Sequence, residues 1–340
     1  MKELRSIYEF RLSHPTEPAV LATLVSVVGS SYRRPGARML ITAKGLRVGS
    51  ISGGCLEEDV IVRAQRVLAT GTPETITYDT SPENDLVWGV GLGCHGIVDV
   101  LVEKLPSSLA PWESALEEVL QQRATIHLEV TFHASNPNSM GTRLIASSTS
   151  PASDPSDKVF AQVLEPPIPL VIFGAGDDAQ PLARFAAELG WSVTVADPRP
   201  AFATRTRFAQ AAHVLVLRHK DSGFDLNSLP LSPRTLAVVM THHYVHDKPL
   251  LGALLQRPLA YLGLLGPKKR AERILSDLVA DGLLIAPEIR ATLHAPVGLD
   301  LGAETPEEVA LAILSEMQAC LAKRDPISLS RREKPIHSDR

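Results

Sequence analysis

Regular alternation of apolar strands and amphipathic helices in the second half limits what this chain can fold into. Leu170–Phe173 is a continuous apolar run. Ala179–Leu189 is an amphipathic helical stretch that stops at Gly190, and Val193–Ala196 is a second apolar run. Val214–Leu217, Leu236–Met240 and Tyr261–Leu264 repeat the strand signature, and a charged helical stretch runs from Lys268 to about Val279. Strands joined by helices run parallel, so the pattern predicts an α/β, doubly wound parallel sheet. Residues 305–323 predict a last helix, with Thr305 as N-cap, Pro306 at the first turn and Glu307 and Glu308 behind it.

The first strand runs into Gly174-Ala175-Gly176-Asp177-Asp178-Ala179 and then a helix. This fits the G-x-G-x-x-G/A fingerprint in the context the motif requires. Gly174 and Gly176 allow a tight turn and let a phosphate approach the helix N-terminus. Asp197 ends the second strand, about 20 residues on, where an acid bonds a ribose 2′-hydroxyl. NAD(P) or another nucleotide at Gly174–Ala179 is therefore one expectation. A glycine turn kept for close strand–helix packing is the other. Asp177 and Asp178 would repel a phosphate and suit a helix cap. His242 and His246 follow the fourth strand and could share a metal if that segment is helical, although no third ligand stands at a telling spacing.

The first half reads as α+β. A helical pattern over residues 1–13 is followed by strands at Ala19–Val28, Arg38–Thr42 and Arg47–Ser50. Ser52-Gly53-Gly54-Cys55 then precedes a helix from about Leu56 to Leu68. Gly53 and Gly54 let backbone N–H groups turn inward as an anion nest. Cys55, near a helix start, is either a reactive thiol or a small core side chain. Further strands are read at Thr75–Asp79 and Ile97–Glu103, separated by a loop in which Gly93 and Cys94 stand beside His95. Arg33, Arg34 and Arg38 bracket Pro35-Gly36 as a solvated turn or as a clamp for phosphate or carboxylate. Glu113–Gln122 predicts a helix. The Ser/Pro-rich stretch at about 135–157 predicts an exposed loop, and residues 325–340 read as a disordered tail.

At about 150 residues per domain, 340 residues make two domains. We place them at 1–165 and 166–324. Lys and Arg number 34 against 38 Asp and Glu, a net charge of −4 that speaks against nucleic acid as a partner. Three cysteines (Cys55, Cys94 and Cys320) are too few for a disulfide scaffold and suit a reducing cytoplasm. No apolar run reaches the roughly 20 residues of a membrane span.

Seven stretches, in order from about residue 15 to 320, resemble the XdhC/CoxI family. They are Gly29-Ser30-Ser31-Tyr32-Arg33-Arg34-Pro35-Gly36-Ala37-Arg38-Met39-Leu40, Gly49-Ser50-Ile51-Ser52-Gly53-Gly54-Cys55-Leu56-Glu57, Gly91-Leu92-Gly93-Cys94, Phe173-Gly174-Ala175-Gly176, Ala196-Asp197-Pro198-Arg199-Pro200, Gly263-Leu264-Leu265-Gly266 and Gly298 through Glu308. The resemblance implies an N-terminal XdhC-type domain followed by a Rossmann-like domain. It implies an accessory protein that binds the molybdenum cofactor (molybdopterin). That protein would hold the cofactor while a cysteine desulfurase supplies its terminal sulfido ligand, then deliver it to a xanthine dehydrogenase-type molybdenum hydroxylase apoenzyme. It further implies Cys55 as contact to molybdenum or its sulfur, with Cys94 second. A homodimer is a further expectation. The alternative is an NAD(P)-dependent oxidoreductase working through the Gly174–Ala179 loop and Asp197. The chain departs from the family pattern at Asp177, where His is usual, and at His95, where Gly is frequent.

Overall fold

The computed structural model describes residues 1–79, 96–122, 124–145, 156–220 and 223–333. It divides into two compact units, Met1–Pro167 and Ile168–Arg340.

The first unit runs α1 (Lys2–Ser13), β1 (Ala19–Gly29), β2 (Arg38–Thr42), β3 (Arg47–Gly49), α2 (Glu57–Thr70), β4 (Glu74–Asp79), β5 (Gly96–Lys104), α3 (Pro111–Leu120), β6 (Ile126–His133), β7 (Gly141–Ile145) and β8 (Lys158–Leu164). An antiparallel sheet has the order β3-β2-β1-β5-β4. A second antiparallel sheet has the order β7-β6-β8. β1 lies at the centre of the larger sheet, and Ala19–Val25 is buried throughout. Val20, Ala22 and Leu24 pack with Val60, Ala64 and Val67 of α2. Leu21 packs with Leu4 and Ile7 of α1, Trp112 and Leu116 of α3, and Leu128 of β6. Side chains alternate between the two faces of a strand, so covering both faces requires the unbroken apolar run seen in the sequence. β3 ends at Gly49 and α2 starts at Glu57, which leaves residues 50–56 as a tight loop carrying Cys55.

β6 was not among the strands read from the sequence. Its signal is present: Ile126, Leu128, Val130 and Phe132 are buried and alternate with His127, Glu129 and Thr131.

The second unit runs β9 (Pro169–Phe173), α4 (Ala179–Glu188), β10 (Ser192–Asp197), β11 (His213–Val216), β12 (His219–Lys220), β13 (Gly223–Phe224), β14 (Leu236–Val239), α5 (Tyr244–Leu254), β15 (Tyr261–Leu264), α6 (Lys268–Ala280), α7 (Pro287–Ala291), β16 (Leu293–His294) and α8 (Pro306–Ala322). Six strands form a parallel sheet in the order β11-β10-β9-β14-β15-β16. This is the doubly wound Rossmann-like sheet expected from the alternation. Leu170 and Ile172 of β9 pack with Leu182 of α4 and Ile313 and Met317 of α8. Val171 and Phe173 pack on the other face with Leu250 of α5 and Ile274 of α6. The order reverses between β9 and β14, and a sheet of this kind binds ligands in the crevice outside the carboxyl ends at such a switch point.

Residues 325–333 continue from α8. Pro326, Ile327 and Leu329 line an open groove of about 1190 Å³ with Phe185, Leu189 and Leu311. None of residues 174–178 lines it. Among the described residues no helix is long and apolar enough to cross a membrane.

Ile172 is fully buried in the central strand. Ile172→Val should lower stability by about 1 kcal/mol and Ile172→Ala by about 2–5 kcal/mol, read from urea unfolding midpoints at equal slope.

Candidate functional site

Cys55 is exposed. It stands two residues ahead of α2, and its loop is built from hydrogen bonds that close on themselves. Gly54 takes a left-handed conformation (φ 113°), open to glycine without strain. The backbone N–H groups of Gly54, Cys55 and Leu56 donate to Ser52 Oγ at 3.1, 3.1 and 3.2 Å. Ser52 Oγ in turn donates to Glu57 Oε2. Glu57 Oε1 accepts from Ser52 N at 2.8 Å and from Ser50 Oγ at 2.9 Å, and Oε2 accepts from Leu56 N at 3.2 Å. Burial works against ionisation of Glu57. The bonds from Ser52 and Ser50 outweigh it and hold the carboxyl below its ordinary range. The amides of Gly54, Cys55 and Leu56 are therefore taken by the protein's own hydroxyl and carboxylate. They are not free for a ligand phosphate while Glu57 is ionised.

Arg33 and Arg38 take different partners. Arg33 pairs with Glu3 at 2.7 Å. Arg34 is half-buried. Arg38 corrects the clamp expectation: it is fully buried in β2, donating to Gly36 O at 3.1 Å and Gln162 Oε1 at 2.7 Å. Burial pulls its pKa down to about 10, opposed by Glu103. Such a side chain holds the 29–38 loop and cannot reach a surface anion. Gly93, Cys94 and His95 lie outside the described residues.

At the switch point of the second unit, Gly174 (φ 120°) lies so close to β14 that an added Cβ would sit 2.5 Å from Met240 O. Asp197, at the end of β10, is fully buried. Its carboxylate accepts four bonds: Ala175 N at 2.7 Å, and Arg199 N, Nε and Nη2 at 2.8, 2.9 and 2.8 Å. Burial disfavours its charge, yet the bonds from Arg199 and Ala175 prevail and lower its pKa. Asp197 is thus occupied in fastening the glycine loop, not presented to a ribose hydroxyl. Arg199 lies over the Phe202 ring, 4.0 Å from its centroid.

The two aspartates beside α4 are also paired. Arg207 Nη2 reaches Asp177 Oδ1 at 2.7 Å. His242 Nε2 meets Asp178 Oδ2 at 2.6 Å and so bridges the β9 and β14 loops. His242 adopts a left-handed backbone (φ 60°), sparsely populated for a side-chain-bearing residue. The bond to Asp178, and more weakly the charges of Asp178 and Asp247, raise its pKa against burial and Arg270. The shared metal considered for His242 and His246 is not assembled. His242 precedes α5, while His246 lies within it, in edge contact with Phe224. Among the described residues no group of three or more His, Cys, Asp and Glu side chains could hold a metal ion. Cys320 is half-buried, with Sγ 3.7 Å from His294 Nε2.

Residues 170–317 match the XdhC Rossmann domain, and residues 12–79 match the model of the XdhC and CoxI family. A protein of Bacillus subtilis named as a probable xanthine dehydrogenase subunit is 36% identical over 320 residues, covering 88% of this chain and 92% of that protein. The chain belongs to the XdhC and CoxI family. Another relative, the molybdenum cofactor insertion chaperone PaoD of Escherichia coli, is 27% identical over 300 residues, 88% of this chain and 82% of PaoD. A crystal structure of a xanthine dehydrogenase from Bacillus halodurans superposes with a TM-score of 0.77 at 29% identity, covering 98% of each chain.

For this XdhC/CoxI member, sequence reasoning missed Ser52 and Glu57 as the frame of the cysteine loop and His242 as the partner of Asp178. Ser52 and Glu57 stand five residues apart, outside the three-residue spacing of a capping box, and the N-cap of α2 is Leu56. The His242–Asp178 bridge joins loops 64 residues apart, and no local pattern announces it.

Glu57→Gln should destabilise the first unit by about 1.5–3 kcal/mol, the range for bonds to a charged group. A depressed carboxyl stabilises the fold above its ordinary value of 4.5 and ceases to as pH falls through the lower folded value. The gap between wild type and variant should therefore close in acid, as unfolding at neutral and acid pH would show. By NMR, His242 should titrate above 6.5, and Asp178→Asn should bring it down. The bridge is complete below that ordinary value and is lost as pH rises through the raised one; an unchanged titration in Asp178→Asn would refute the pairing.

Proposed function

We propose that this protein is an accessory chaperone that takes the molybdenum cofactor as cargo, supports its sulfuration and passes it to a xanthine dehydrogenase-type molybdenum hydroxylase. The observation that carries the reading is Cys55. It is an exposed thiol on a loop made rigid by Ser52 and Glu57, in a chain whose relatives include a protein named as a molybdenum cofactor insertion chaperone. A thiol is a soft donor and suits a metal centre that carries sulfur. The donor set fits the metal end of the cargo. The amides of Gly54, Cys55 and Leu56 do not fit its phosphate, because Ser52 Oγ already takes them. Cys94 is the second proposed contact. The proposed partners are the hydroxylase apoenzyme, a cysteine desulfurase that supplies the sulfur, and a second copy of the chain in a homodimer.

A second reading, an NAD(P)-dependent oxidoreductase, draws on the strand order and the G-x-G-x-x-A loop. Asp177 and Asp178 oppose a pyrophosphate at the start of α4, and the bonds already made by Asp197 oppose ribose recognition.

The test is anaerobic. Purified protein is mixed with excess molybdenum cofactor and freed of unbound ligand; bound molybdenum and pterin are then measured. Wild type should retain near-stoichiometric cofactor, and Cys55→Ala should lose most of the molybdenum while keeping its fold. No retention by folded wild type would end the chaperone reading, and NADH binding by the same sample would put the second in its place.

A further inference from the structure

Tyr32 is 68% exposed. It lies in the loop between β1 and β2, and its ring is set against the loop that carries Cys55. A Cβ built on Gly53 would stand 3.6 Å from both Cγ and Cδ1 of Tyr32 and 3.8 Å from Cδ2. Near-equal distances to these three atoms mean that Gly53 lies against the face of the ring; an approach along the ring plane would leave both Cδ atoms distinctly farther away than Cγ. One face of the aromatic ring is therefore turned toward Gly53, with room for about one carbon between them. Gly53 is two residues from Cys55, a span of at most about 7 Å of chain.

The anchor beneath the ring is rigid. Ser52 and Glu57 bind the amides on either side of Gly53, and Arg38 holds the far end of the Tyr32 loop through Gly36 O. Aromatic side chains supply a large, stiff contact surface, and flat heterocycles stack on such faces regardless of their substituents. Val28, four residues before Tyr32, is 63% exposed and stands opposite Ile97, itself 37% exposed. Apolar surface is thus concentrated where β1 leads into the Tyr32 loop.

We infer that Tyr32 is a stacking platform for the flat pyrimidine end of the pterin, set beside the thiol that meets the metal end. This rests on the reading of the protein as a molybdenum cofactor chaperone and adds a second contact of different chemistry. Soft donation from Cys55 would address the metal, and the Tyr32 ring would address the heterocycle. The Tyr32 contact requires no charge, in keeping with a loop whose anion nest is already filled.

The test separates the two ends of the cargo. A metal-free pterin, 6-hydroxymethylpterin, is titrated by its own fluorescence into full-length wild type, Tyr32→Phe and Tyr32→Leu, each checked for fold by circular dichroism. Wild type and Tyr32→Phe should bind alike. Tyr32→Leu, which keeps apolar bulk without a π face, should bind about 5- to 150-fold more weakly, since a stack on one ring is worth about 1–3 kcal/mol. Equal binding by Tyr32→Leu overturns the inference. So does a loss in Tyr32→Phe, or no pterin binding by wild type. Molybdenum retention by the same wild-type sample is read separately: if it persists while the pterin results fail, the platform is wrong and the chaperone reading stands. If retention fails in wild type, the chaperone reading falls first.

Discussion

Glu57 and Asp197 each bury a carboxylate against the backbone amides of a glycine-containing loop, and the shape of both candidate sites depends on those two interactions. A buried charge is tolerable only when donors surround it. Glu57 has Ser50, Ser52 and the Leu56 amide. Asp197 has Ala175 and Arg199. Both carboxyls are held below their ordinary range because their donors outweigh burial. With either one neutral, several N–H groups would lose a strong acceptor, and the loop would lose the bonds that define it.

The same arrangement decides what the loops can receive. Glycine loops beside helix starts ordinarily turn their amides and the positive end of the helix toward a ligand phosphate. Here Glu57 stands at the start of α2, and Asp177 and Asp178 stand at the start of α4. The negative charge that a helix N-terminus favours is supplied from within the chain. A pyrophosphate would have to displace Asp178 from His242 and approach Asp177, already held by Arg207. Beside the filled nest of the first unit, Cys55 and the Tyr32 ring are exposed.

The Rossmann-like half was legible because its signals are local and redundant. Continuous apolar strands, the turn at Gly174 and the Thr305 N-cap with Pro306 behind it, found in the structure as part of a capping box with Glu308, depend on near neighbours in sequence. The roles of Arg38 and Asp197 were not legible for the opposite reason. Arg38 sits in a motif with two other arginines, and only the pairing of β2 with β1 buries it. Asp197 stands at the position of a ribose-binding acid, and only the return of Arg199 onto it shows that its lone pairs are used. Residue type and spacing identify where chemistry is located, while hydrogen-bond occupancy, a three-dimensional property, decides whether a group is free for a ligand. β6 is a different case, since its alternation was visible in the sequence and simply needed a partner sheet.

Occupancy also separates the two described cysteines. Cys320 lies on α8, packed at the edge of the apolar layer that includes Ile313 and Met317. Its sulfur faces His294, whose other ring nitrogen meets Glu316 at 3.2 Å. Burial, and then the charge of Glu316, push the Cys320 thiol up, so at neutral pH it stays protonated. A protonated, half-buried thiol is a poor metal ligand and a poor nucleophile. Cys55 is exposed, and the bonds of its loop end on Ser52 and Glu57 through backbone amides. The frame restrains the backbone of Cys55 while the residue itself stays open to a ligand. That combination is what a protein needs in order to hold a reactive group and release it again. Immobilising the backbone beforehand reduces the entropy lost on binding; under the proposed function, a contact made through one thiol and one aromatic face would leave the cargo within reach of the next protein.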